Sequence, residues 1–273
     1  MTRIAGAHAF VTGGSSGIGL AAAKLLTVRG AAVTVLARDL TRLEAALIEI
    51  RAAADRQVTV GAVAADVADR AAVDAAIATA VGERGPVDIV ITAAGGAHPG
   101  YFEQLDDDVF RAQMDVDYFG TLNVLRAVVP SMIERRRGHL VTVASTAALI
   151  GVFGYTAYAP AKYAVRGLTE TLRPELAPHG ITVACAYPPD TDTPGLAREN
   201  ETKPEETVRI SAAIKPRDAD VVAGAIVRGI ERNRLVITAD VQTAALARAA
   251  GILGPYVRWT MDRTVRGVRS SRS

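Results

Sequence analysis

The chain has 273 residues, 49% hydrophobic and 22% charged, with a formal net charge of +2. That length suits one α/β domain whose core needs no disulfide, and the lone cysteine, Cys185, has no partner within the chain. So small a charge gives no case for nucleic acid, and His8, His98, His139 and His179 lack metal-ligand spacing, so no metal is expected.

The opening residues pass almost directly into an apolar run at 8–12, with no long apolar leader, and no run reaches the ~18 residues of a membrane span. The default expectation is a cytoplasmic protein. Further strands are predicted at 32–36, 58–64, 87–92, 139–144, 181–186 and 235–238. Helices are predicted between them at 18–29, 40–54, 71–84, 118–137 and 157–178. Strands alternating with helices, and apolar on both faces, describe a parallel sheet covered on both sides.

The first strand runs into Thr12-Gly13-Gly14-Ser15-Ser16-Gly17-Ile18-Gly19 and then a helix. Glycines there let the backbone turn tightly against a pyrophosphate, and the helix start offers free N–H groups and partial positive charge. Gly13, Ser15, Ser16, Gly17, Ile18 and Gly19 are therefore candidate cofactor contacts; the alternative is a plain strand–helix turn. The second strand ends in Ala37-Arg38, where an NAD enzyme commonly places a carboxylate. Arg38 can pair with a 2′-phosphate that a carboxylate would repel, which argues for NADP(H); the alternative is a surface arginine beside Asp39. After the third strand, Asp66, followed by Val67, can accept from an adenine amine. After the fourth, Ala93, Ala94, Gly95 and Gly96 are small enough for close backbone approach.

Ser145 ends the fifth strand, and Tyr158 and Lys162 share a helix face four residues apart, with Pro160 in the first turn. This set suits carbonyl reduction. Tyr158 gives a proton to the carbonyl oxygen, Lys162 lowers the phenol's pKa and holds ribose hydroxyls, and Ser145 fixes the carbonyl oxygen. Cys185 lies in an apolar strand and reads as core. From 188 to 216 the pattern loosens, with five prolines, which fits a lid over a ligand crevice or a passive excursion. The stretch 255–273 carries Arg258, Arg263, Arg266, Arg269 and Arg272 against one acid, Asp262. It reads as a solvated tail or as a basic edge that meets anionic lipid. Trp259, Tyr256, Val257 and Met261 form an amphipathic segment for packing on the pocket, on a subunit or on a membrane surface.

The run Thr12 to Gly19, Ser145, Tyr158-Ala-Pro-Ala-Lys162 and the segment from Pro188 to Thr193 resemble the short-chain dehydrogenase/reductase family over about residues 5–240. The resemblance implies a Rossmann-like, doubly wound seven-stranded parallel sheet with helices on both faces. It places that domain at 1–240, a substrate lid at about 189–216 and a basic helical extension at 241–273. It also implies a homodimer or homotetramer, and that Pro188 and the residues to Thr193, Thr191 among them, border the nicotinamide. A narrower run, Ala186-Tyr-Pro-Pro-Asp-Thr-Asp-Thr-Pro-Gly195 with Glu199 to Thr207 and Gly151 to Tyr158, is similar to the 3-ketodihydrosphingosine reductases. That likeness implies NADPH-dependent reduction of a hydrophobic, long-chain ketone to its alcohol. Two alternatives stay open: a reductase or dehydrogenase of another hydrophobic carbonyl or alcohol (a 3-oxoacyl thioester or a steroid), and an NADPH-binding protein without turnover. Asp117 stands where the family usually has an asparagine that holds a relay water. Its charge near Lys162 is expected to weaken Tyr158 as an acid; the alternative is a swap that keeps the geometry and has little effect. Ala93 stands near another usual asparagine.

Overall fold

A computed structural model describes residues 1–54, 58–212 and 214–270. The chain runs through β1 (His8–Thr12), α1 (Gly17–Val28), β2 (Ala32–Ala37), α2 (Leu40–Ala53), β3 (Val60–Ala64), α3 (Arg70–Arg84) and β4 (Ile89–Thr92). It continues with α4 (Asp107–Gln113), α5 (Gly120–Arg135), β5 (Gly138–Val143), α6 (Tyr158–Leu176) and β6 (Ile181–Ala186). Then come β7 (Thr191–Asp192), α7 (Pro194–Asn200), α8 (Glu205–Ser211), β8 (Arg217–Asp218), α9 (Ala219–Glu231), β9 (Val236–Ile237) and α10 (Val241–Ser270).

Seven strands pair in parallel in the order β3-β2-β1-β4-β5-β6-β9. The fold is thus the Rossmann-like doubly wound sheet that the alternating pattern predicts. Side chains along a strand point alternately to the two faces. Ala9 and Val11 of β1 join one buried cluster with Leu26 of α1, Ile50 of α2 and Ile226 of α9. Phe10, between them, joins the other with Ile77 of α3, Leu125 and Met132 of α5 and Leu140 of β5. Burying each such large side chain contributes roughly 1.5–3 kcal/mol. The strand order reverses between β1 and β4, which opens a crevice beyond their carboxyl ends.

The helix expected at 118–137 is differently built. α4 passes into a π-helical segment, Met114–Phe119, before α5 begins. Asp115 and Asp117 interrupt the apolar period that an ordinary helix would show, and the wider turn carries Asp117 inward to full burial. Gly120 follows because a Cβ there would lie 2.6 Å from Val67 Cγ2. The loose stretch 188–216 holds α7 and α8, and β7 pairs with β8 just beyond it. Pro194 opens α7 behind Thr193, whose hydroxyl accepts from the Leu196 N–H at 3.1 Å. The 241–273 extension is helical over 241–270, with a kink at Ala249; Arg272 lies outside the described residues. Among the described residues no helix is long and apolar enough to cross a membrane.

His139, on β5, is fully buried, and its Nδ1 meets the Thr2 hydroxyl at 2.9 Å. Burial, with help from the N-terminal ammonium, pushes its pKa down to about 4 from 6.5. The unfolded chain therefore binds the proton first. The stabilisation is complete above pH 6.5 and is lost as pH falls toward 4, a change of roughly 3 kcal/mol. Urea unfolding between pH 7 and 4 should show this loss, and His139→Gln should flatten it while lowering stability at neutral pH.

Candidate active site

Three glycines of the β1–α1 turn are required by space. A Cβ on Gly13 (φ +68°) would lie 2.6 Å from the Ala93 carbonyl oxygen, and one on Gly19 would lie 2.4 Å from the Gly13 carbonyl oxygen. Gly17 (φ +53°) packs against Thr193, whose Cγ2 would be 2.9 Å from its Cβ. The turn is thus clamped between the ends of β4 and β7, and α1 starts at Gly17 with its free N–H groups facing the crevice.

A cleft of about 840 Å³ runs from this turn across the sheet edge. It is lined by Gly13, Ser15, Ser16, Gly17, Ile18, Gly19, Arg38, Asp66, Val67, Ala94, Gly95, Ser145, Tyr158, Lys162, Pro188, Thr191 and Thr193. Every candidate residue read from the sequence is among them except Asp117, which lies behind Lys162. Asp39 is occupied as the N-cap of α2, accepting from the Arg42 N–H at 3.0 Å, so it does not neutralise Arg38. Arg38 is 74% exposed and only 3.8 Å from Asp66, a solvated pairing worth well under ~1 kcal/mol. Asp66 Oδ1 accepts from the Ala68 N–H at 3.0 Å, which fixes the turn after β3.

At the other end Ser145 Oγ accepts from the Ala147 N–H at 3.1 Å, and the same side chain favours the ionised form of the Tyr158 hydroxyl. Lys162, 5% exposed, donates from Nζ to the Val143 carbonyl at 3.1 Å and pairs with Asp117 Oδ1 at 3.0 Å. Its Nζ lies 5.6 Å from the centroid of the Tyr158 ring. The Asp117 carboxylate presses on the end of β4, where a Cβ on Gly95 would meet Oδ1 at 2.2 Å. Burial raises Asp117 above the ordinary carboxylate range, against the opposing pull of Lys162. Burial tends to lower Lys162, but Asp117 holds it above the usual lysine value. The Tyr158 hydroxyl is pushed above the ordinary tyrosine value by burial; Lys162 pulls it down and Asp117 pushes it up. The net direction is opposite to the lowering expected from Lys162 alone, because burial outweighs the ammonium.

Several cleft residues were not singled out from the sequence. Arg42 stands beside Arg38, and its signal was a second base in the first turn after the second strand. Tyr155 donates to Glu199 Oε1 at 2.5 Å, and its ring lies 5.8 Å from that of Tyr158. Ile210 and Ile214, on and just past α8, and Leu246 of α10 give this end an apolar lining, beside Val257 and Met261, which the sequence already offered for packing on the pocket. Their contribution needs tertiary placement that no local motif carries.

The chain belongs to the short-chain dehydrogenase family, whose family model matches residues 7–204. It is an oxidoreductase acting on C=O and CH–OH groups. Over 269 residues it is 41% identical to a 3-ketodihydrosphingosine reductase of Dictyostelium discoideum, covering 93% of this chain and 80% of that one. It is 44% identical to a 3-dehydrosphinganine reductase of Danio rerio, covering 83% and 69%. Among solved structures, an actinorhodin polyketide ketoreductase with NADPH matches with a TM-score of 0.78 at 29% identity, over 87% of this chain and 96% of that one. A levodione reductase matches in fold, with a TM-score of 0.81 at 24% identity, over 89% of this chain and all of that one.

Proposed function

We propose that the protein is an NADPH-dependent reductase of a long-chain ketone, with 3-ketodihydrosphingosine as substrate and dihydrosphingosine as product. The observation that carries this reading is the Ser145–Tyr158–Lys162 set at the point where a glycine-walled cleft meets an apolar one. The cleft fits a dinucleotide. Side chains at Gly13 and Gly19 would crowd the pyrophosphate turn, and Arg38 and Arg42 offer two cations at the ribose end, where Asp39 is engaged as the N-cap of α2 and Asp66 by the Ala68 N–H. Gly13, Ser15, Ser16, Gly17, Ile18 and Gly19 would hold the phosphates, and Asp66, Val67, Ala94 and Gly95 the adenosine side. Tyr158, Lys162, Pro188, Thr191 and Thr193 would flank the nicotinamide, which supplies the hydride.

Ser145 holds the carbonyl oxygen by hydrogen bond. Tyr158 enters protonated and releases its hydroxyl proton to that oxygen as negative charge develops there. Lys162 stabilises the phenolate left behind. Asp117 opposes this step, since its negative charge disfavours the phenolate. Asp117→Asn should therefore lower the Tyr158 pKa and raise kcat at pH 7 by about three- to tenfold. Reduction needs the protonated phenol, so the alkaline limb of its pH profile should move to lower pH in the variant. An unchanged profile would remove Asp117 from the proton step.

The apolar lining from α8 and α10 suits an alkyl chain. α10 also turns Ile252, Tyr256 and Trp259 outward, with Arg263 stacked 5.7 Å over Trp259, which supports contact with an anionic bilayer holding the substrate. The test is NADPH oxidation at 340 nm with 3-ketodihydrosphingosine in detergent micelles and in anionic vesicles, with NADH and a short 3-oxoacyl thioester as controls. Turnover preferring NADPH and the sphingoid ketone, with vesicle activity falling as salt rises, is expected. Activity on the thioester alone would overturn the substrate reading, and salt-independent vesicle activity would overturn the membrane contact.

A further inference from the structure

Beside the reacting end of the cleft lies a charged network that the hydride and proton steps do not use. Glu199 of α7, half-buried, accepts from the Tyr155 hydroxyl at 2.5 Å and pairs with Lys203 at 2.9 Å. Lys203, only 4% exposed, also lies 3.9 Å from Asp190. Tyr155 in turn stands against Tyr158, so Glu199 is one side chain removed from the proton donor. Both contacts of Glu199 fall on Oε1, and the residue lines the cleft, so Oε2 keeps its acceptor capacity there.

The charges do not balance. Lys162 is matched by Asp117, and Arg217 is 3.9 Å from Asp240, but Lys203 alone faces two carboxylates, Glu199 and Asp190. Arg198 and Lys215 also border the cleft, both exposed and screened by solvent. The partly buried group is therefore one positive charge short. A neutral ketone would leave that deficit in place and remove water from it, whereas a cationic group would cancel it.

We propose that Glu199 sets the substrate class: it receives a protonated amine on the carbon next to the reacting carbonyl, so that the cleft takes α-amino ketones ahead of neutral ketones. This rests on the long-chain ketone reading and narrows it. Two electrostatic facts agree. Burial raises the Asp190 carboxyl, which Lys203 only partly counteracts, so the group is short of cations. The Glu199 charge also reaches Tyr158 and pushes its hydroxyl upward, so a cation seated there would relieve the proton donor as well.

The experiment compares kcat/KM for 3-ketodihydrosphingosine, its N-acetyl derivative and 1-hydroxyoctadecan-3-one, in the unaltered enzyme and in Glu199→Gln. The unaltered enzyme should prefer the free amine by roughly 30-fold or more, and Glu199→Gln should shrink the amine-to-neutral ratio by about the same factor. NADPH titration of the variant reports its folding, and the comparison of the three ketones in the unaltered enzyme stands without the variant. Equal use of amine and N-acetyl ketones, or an equal loss on all ketones in the variant, would overturn the role of Glu199 alone. Reduction of none of the three would overturn the functional reading and this assignment together.

Discussion

Tyr158→Phe should lower ketone turnover by about a thousandfold while NADPH affinity changes by no more than about threefold. The substitution removes one oxygen from a residue whose ring is fixed by neighbours on two sides. Tyr155 meets it in a tilted contact, and Lys162 Nζ is held by Val143 and Asp117 independently of the hydroxyl. The cavity shape and the cation therefore survive, and only the transferable proton is lost. A general acid contributes typically 10²- to 10⁴-fold, which brackets the expected loss. Equal losses in kcat and kcat/KM are the signature of a group acting only in the transition state. Turnover that survives Tyr158→Phe would remove the proposed mechanism.

Arg38→Glu should reduce kcat/KM with NADPH by about 100-fold and leave NADH within about threefold, so that the coenzyme preference narrows or inverts. Arg38 lines the cleft with its side chain mostly in solvent, and its nearest carboxylate is distant enough to hold it weakly. The loss is set by the reversal, because a carboxylate beside a 2′-phosphate repels it, and solvent screening keeps the effect below that of a buried pair. Arg42, four residues on, softens the milder change Arg38→Ala and makes the charge reversal the sharper experiment. Saturation kinetics with both coenzymes measures this, and equal losses with NADPH and NADH would point to damage of the turn instead.

The seven-stranded sheet was legible because its strands are short apolar runs separated by amphipathic segments, and each of its strands falls within a residue or two of its run; β7 and β8, two residues each, had no such run. That Gly13 and Gly19, Ser145, Tyr158 and Lys162 line one cleft was legible for the same local reason: they sit at strand and helix ends, where spacing sets their neighbourhood. The helices α4 and α9 were not singled out, although α9 packs Ile226 and Ile230 into the core. The stretch 188–216 was harder still. α7 and α8 have seven residues each, and prolines at their starts read equally well as turns. The Tyr155–Glu199–Lys203 network joins segments 44 residues apart, so no window along the chain displays it.

The two ends of the cleft come from distant parts of the chain. The end of β5 and the start of α6 supply Ser145, Tyr158 and Lys162, while α10, beginning at Val241, supplies Leu246, Val257 and Met261 to the apolar wall. Val257 and Met261 lie outside the buried clusters of the sheet, whereas Leu246 packs against the cluster that holds Cys185 of β6 and Val165 of the Tyr158 helix. Under the proposed long-chain reading, a library confined to Val257 and Met261 would vary the tails accepted while leaving Ser145, Tyr158 and Lys162 as they are.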